Sequence, residues 1–103
     1  MQMDLPRLSV TERLILDLLA SEEMFGLQLV EQSKGALKRG TVYVTLGRMQ
    51  DKGYVVSWTE KQLPGAIGLP RRRYRPTAYG LRVLEAWAAA ARTLNRRPKL
   101  QHA

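Results

Sequence analysis

At Gly53 the hydrophobic period of this chain changes from helical to extended, and that switch narrows what it can fold into. Upstream, "SVTE" is a capping box, with Ser9 as the N-cap and Glu12 three residues later. Leu14, Ile15, Leu18 and Leu19 follow as an apolar stripe at helical period. "SEEMFG" ends that helix and opens a second, "GLQLVEQS", in which Leu27 and Val30 face one side and Gln28, Glu31 and Gln32 are polar, until Gly35 interrupts. A third helix is expected from Gly40 or Thr41 to Lys52, with Val42, Leu46 and Met49 on its inner face and Gly53 as its stop. Three short helices with a tight connection between the last two read as a helix-turn-helix.

Downstream of Gly53, "YVVSWTE" and "RRRYRP" are rich in strand-forming residues, and "KQLPGAIGLP" between them holds two Pro and two Gly. Two strands joined by a long loop directly after a helix-turn-helix form a wing. Thr77 then caps a last helix, "AYGLRVLEAWAAAARTLN". The expected fold is mainly α with a small β component (α+β). It is a winged helix-turn-helix of three helices and a two-stranded wing over residues 1–76, with a C-terminal helix over 77–95 in the same domain and a frayed tail over 96–103. The 103 residues allow one modest core.

The charge is unevenly spread. Between Lys34 and Arg75 lie ten basic residues and two acidic ones, a net +8, whereas the rest of the chain carries seven of each and sums to zero. A solvated surface mixes its signs. This segregation fits a face that meets a polyanion. Charge alone does not separate DNA from RNA or from an acidic membrane.

Turning Val42, Leu46 and Met49 inward leaves Gly40, Val44, Gly47, Arg48 and Asp51 on the opposite face of the third helix, with Thr41 and Tyr43 on its flanks. A helix fits the DNA major groove. In that setting Val44 offers an apolar contact to a thymine methyl, Arg48 a guanine or phosphate contact, and Tyr43 a phosphate hydrogen bond unless its ring only braces the second helix. Thr41 is also within reach. Lys38 and Arg39 precede the helix, where its free N–H groups favour a phosphate. Of the wing arginines, which alternate sides, Arg71 and Arg73 are the expected backbone or minor-groove contacts, assisted by Lys61. The alternative is a charged edge strand resisting aggregation, which would not require three consecutive Arg on top of the charges of the third helix. A module binding RNA or an acidic protein is the rival reading. The small, polar-and-valine recognition face suits a groove better than the stacked bases RNA binders favour.

The C-terminal helix presents Leu84, Trp87, Ala88, Ala91 and Leu94 as a small-sided apolar strip suited to close packing against a second copy. Trp87 is in addition a candidate stacking surface for a small aromatic ligand. The alternative is a helix that simply covers its own core.

Enzyme chemistry finds no support. The chain has no Cys, and its one His, His102, stands beside the C-terminus. No Ser–His pair, His-based metal cluster or phosphate-cradling Gly-rich loop can be assembled, and no metal or cofactor is expected. No apolar run is long enough to cross a membrane, and "MQMDLPRLSV" has no signal-peptide core. A soluble, cytoplasmic protein is the expectation.

Taken together, "GTVYVTLGRMQDKGYV" resembles the G-T-x-Y-x-x-L-x-R-x-x-x-x-G recognition-helix signature of the PadR-like transcriptional regulators. "RRRYRPTAYG" resembles their Y-x-x-T-x-x-G strand-to-helix motif, and "LILDLLASEEMFGLQLVEQ" is similar to their first two helices. The resemblance runs from Leu14 to Gly80 and rests on the spacing of Gly26, Tyr43, Arg48, Gly53, Tyr74, Thr77 and Gly80. Val44 stands where members often carry Pro, Gln50 where an acid is common, and Pro76 where an aliphatic residue is usual. The single helix after the wing is similar to the short subfamily. The resemblance implies a cytoplasmic, homodimeric repressor of operator DNA, often relieved by a small aromatic or lipophilic compound.

Overall fold

The computed structural model describes residues 5–61, 64, 65, 68 and 71–95. Helix α1 (Val10–Ser21) opens on the expected capping box: the Glu12 N–H donates to Ser9 Oγ at 3.1 Å and the Ser9 N–H to Glu12 Oε1 at 2.8 Å. Its Ile15, Leu16 and Leu19 are buried, and Leu14 and Leu18 pack against the same core.

Strand β1 (Met24–Phe25) comes next, then α2 (Gly26–Gln32) and α3 (Arg39–Asp51). Val42, Leu46 and Met49 of α3 are fully buried, as the spacing predicts. The end of α3 is a Schellman turn: the Tyr54 N–H reaches the Met49 carbonyl at 2.8 Å and the Gly53 N–H that of Gln50 at 3.0 Å. Gly53 sits at φ +80°, where a β-carbon is strained. In α2 the sequence reading is corrected. Leu29 is buried and Leu27 is 40% exposed, because a helix under two turns long leaves its inward face to the neighbours rather than to its own stripe.

Strands β2 (Val55–Thr59) and β3 (Arg72–Pro76) pair antiparallel, with Ser57 opposite Tyr74 and Trp58 opposite Arg73. The wing has a third strand the sequence reading lacks. β1 pairs with β3 through Met24–Tyr74 and Phe25–Arg73, giving the order β1-β3-β2. Met24, Val55 and Tyr74 turn into the core. Alternation therefore puts Phe25, Trp58, Arg73 and Arg75 on the outer face of the sheet.

Thr77 joins wing to α4 (Ala78–Asn95). Its hydroxyl donates to the Gly53 carbonyl at 2.6 Å and accepts from the Gly80 N–H at 2.8 Å. Gly80 lies so close to the Tyr54 backbone carbonyl that no β-carbon would fit. Helix α4 packs on α1 and β3 and buries Gly80 and Val83. The core is thus enclosed by four helices and one side of a small sheet, and the exposed face of α3 is left outside it. The expected tail, 96–103, and the wing-loop positions 62, 63, 66, 67, 69 and 70 lie outside the described residues.

Candidate nucleic-acid interface

Helix α3 is gripped on one side and bare on the other. Thr41, Tyr43, Val44, Gly47, Arg48 and Asp51 are all exposed, Tyr43 by 46% and Val44 by 54%. Lys38 is the N-cap and Arg39 the first residue of the helix, both exposed. The Thr41 hydroxyl donates back to the Lys38 carbonyl at 3.2 Å, so toward an incoming group it can only accept.

The two flanks of α3 meet different parts of the molecule. On the wing flank, Ser57 Oγ donates to Gln50 Oε1 at 2.9 Å and in turn accepts from the Arg72 guanidinium at 2.9 Å. The Tyr43 ring lies over Gly26, in the space a β-carbon there would need. A cavity of about 670 Å³ opens here, lined by Phe25, Leu27, Gln28, Tyr43, Arg71 and Arg72 among others. On the other flank Thr45, Arg48 and Lys52 face the start of α1. A cavity of about 520 Å³ lies between them and Arg7, Ser9 and Thr11.

Across that second seam Lys52 Nζ donates to Glu12 Oε2 at 2.7 Å. Glu12 is almost wholly buried. Burial raises its pKa, but the hydrogen bonds from Lys52 and from the Ser9 N–H, with the lysine's charge, outweigh that and hold the carboxyl below its ordinary value. The charge of the partly solvated Lys52 is thereby paired with the buried Glu12 carboxylate. Arg7 and Arg48 have no side-chain partner among the described residues.

The wing arginines divide by strand alternation. Arg71 and Arg73 lie over the Phe25 ring, 5.2 and 4.4 Å from its centroid, Arg73 also reaches Glu60 at 3.4 Å, and Arg75 covers Trp58 at 5.7 Å. Arg72 shares the helix-facing side with Tyr74. The structure accordingly brings Tyr43, Arg71 and Arg72 together at one cavity, and leaves Arg73 on the outer face of the sheet. Lys61 is exposed beyond the end of β2.

Two residues of this surface were not singled out by the sequence. Arg72 was passed over in favour of its neighbours, although its alternation with the core residue Tyr74 could have marked it. Arg7 lies in the acidic N-terminal stretch, and nothing local signals its place beside α3.

The strip on α4 is split. Leu84 and Trp87 pack on the protein's own core, and the Trp87 indole N–H donates to the Pro6 carbonyl at 2.7 Å. Ala88 and Ala91 are half-buried, while Leu94 is 84% exposed. Among the described residues there is no cluster of His, Cys, Asp or Glu that could hold a metal, and no helix is long and apolar enough to cross a membrane.

The family model described as "Transcriptional regulator PadR-like family" matches residues 15–86. Among solved structures, a PadR family transcription regulator from Clostridium difficile R20291 is similar at 27% identity and TM-score 0.68, with 80% of this chain and 86% of that one covered. A PadR family transcriptional regulator from Eggerthella lenta DSM 2243 is similar at 29% identity and TM-score 0.67, covering 80% and 71%. Bacillus subtilis PadR, solved in complex with operator DNA, shares the fold at 23% identity and TM-score 0.68, over 91% of this chain and 51% of that one. No curated protein matches the chain at a significant level.

Proposed function

The chain belongs to the PadR-like family of transcriptional regulators, and from that premise we propose that it binds a specific operator duplex as a homodimer and represses transcription by occluding a promoter. The observation that carries this reading is the exposed row Thr41, Tyr43, Val44 and Arg48 on a helix whose opposite face is locked into the core. A groove-reading helix needs a fixed inner face to orient it and a small outer face to enter ~12 Å of major groove. Val44 supplies a thymine-methyl contact and Thr41 an acceptor, while Tyr43, Lys38 and Arg39 take phosphates. Lys61, Arg71 and Arg73, joined by Arg72, reach the neighbouring backbone or minor groove.

Homodimerisation runs through α4, with Leu84, Trp87, Ala88, Ala91 and Leu94 at or beside the interface. A planar aromatic effector stacking on Trp87 would bias that interface. Its test is quenching of tryptophan fluorescence by such compounds, abolished in Trp87→Phe and absent across a broad panel if no effector binds there.

The central test is genome-wide mapping of bound sites followed by a gel-shift titration against salt on the mapped sequence. Specific duplex should bind at least ~10³ tighter than random duplex. Equal affinity for the two, or preference for a structured RNA competitor, would sink the reading.

A further inference from the structure

Helix α3 is flanked by two cavities, and a major groove is flanked by two phosphate backbones. The wing-side cavity carries Arg71, Arg72 and the Tyr43 hydroxyl. The opposite cavity carries Arg7 and Arg48 with the hydroxyls of Ser9, Thr11 and Thr45. We infer that this second cavity, on the seam between α1 and α3, is a phosphodiester site. In it Arg7 and Arg48 together clamp the backbone strand on the groove wall away from the wing.

Three observations support it. First, the charge at this seam is free to act. Lys52, the third cation there, is neutralised by Glu12, but the Arg7 and Arg48 side chains have no partner of their own among the described residues. A planar guanidinium suits a phosphate better than any other side chain does. Second, Arg7 is held, not loose. Its carbonyl accepts from Tyr54 Oη at 2.6 Å, and the preceding carbonyl of Pro6 accepts from the Trp87 indole at 2.7 Å. Two core residues thus fix the backbone that presents Arg7. Third, the helical spacing of Thr45, Arg48 and Lys52 turns this row toward α1, while Tyr43 and Gln50 turn toward the wing. An α3 seated in a groove therefore brings the Arg7–Arg48 side to one wall as it brings the wing to the other. Arg7 lies outside the basic central stretch, so charge counting along the sequence does not reach it.

The inference rests on the duplex-binding reading, and its test separates the two. Salt titrations are run on the mapped operator and on a random duplex with the wild-type protein, Arg7→Ala, Arg7→Gln and Arg7→Lys. Losing one phosphate contact lowers the slope of log affinity against log salt by about 0.9 per bound protomer. Arg7→Ala and Arg7→Gln should show that loss and weaken both duplexes alike, while Arg7→Lys, keeping the charge, retains the wild-type slope. The bonds from Tyr54 and Trp87 go to backbone carbonyls, so thermal midpoints should be unchanged. Wild-type slope and affinity in both neutral variants overturn the Arg7 site and leave duplex binding standing. A wild-type protein that binds neither duplex overturns both.

Discussion

Gly47 is exposed in the middle of α3, and nothing lies within 4 Å of where its β-carbon would project. In a helix interior that arrangement costs stability, so Gly47→Ala should stabilise the fold by about 1 kcal/mol in urea denaturation. The added methyl would stand between the helix and the groove floor, and DNA affinity should fall in the same variant. Opposite signs in the two measurements are the expected result, and a variant that gains both would remove Gly47 from the contact face. Gly80 behaves differently. A β-carbon there meets the Tyr54 backbone carbonyl, which cannot move aside cheaply. Gly80→Ala should therefore lower the unfolding free energy by roughly 1–3 kcal/mol or more, the cost of overpacking, with a matching drop in thermal midpoint. Gly53 and the inner face of α3 were legible as residues because a positive-φ helix stop and a 3.6-residue period leave local marks. The apposition of Arg7 and Arg48 was not, since 41 positions separate them and only folding brings them to one cavity.

At the level of elements, α1 and α3 are latched by Glu12 and Lys52, a buried carboxylate against an ammonium that keeps more than a third of its exposure. Removing the charge by Glu12→Gln also weakens the capping box, whose N3 side chain is the same residue. The expected loss is about 1–2 kcal/mol, below that of a fully buried pair because Lys52 is partly solvated. The pH dependence has a definite sign. A carboxyl whose folded pKa lies below its ordinary 4.5 stabilises the protein above that value, and the contribution is lost as pH falls through the folded pKa. Wild-type stability should decline as the medium is acidified below 4.5, and Glu12→Gln should flatten that part of the curve; an unaltered acid limb would assign the latch no role. The capping box, the third helix and the Thr77 cap could be read from sequence because each is closed within a few residues. Strand β1 could not. Two residues carry no period, and the partners that make Met24–Phe25 a strand are Tyr74 and Arg73. For the same reason a helix of seven residues misdirects the reading, which turns Leu27 rather than Leu29 inward.

For the whole molecule, the proposed homodimer carries a geometric requirement, because paired half-sites lie about 34 Å apart on one side of a duplex. Helix α4 is the element available to set that distance. Its 18 residues span roughly 27 Å. The stretch up to Trp87 is consumed by the core through Val83, Leu84 and Trp87, while Leu94 stays exposed beyond the Ala-rich turn. Small side chains at Ala88 and Ala91 allow a second helix to approach closely, so a charge at that point should separate protomers without touching either core. Ala91→Glu is accordingly expected to sediment as a monomer with wild-type helix content by circular dichroism. Its affinity for a single half-site should be preserved. Its affinity for a complete operator should fall by about 10²–10⁴, the gain that linking two binding events supplies. If Ala91→Glu instead remains dimeric and keeps full operator affinity, the protomers must pair through another surface, and the spacing of the two recognition helices would have to be set by something other than α4.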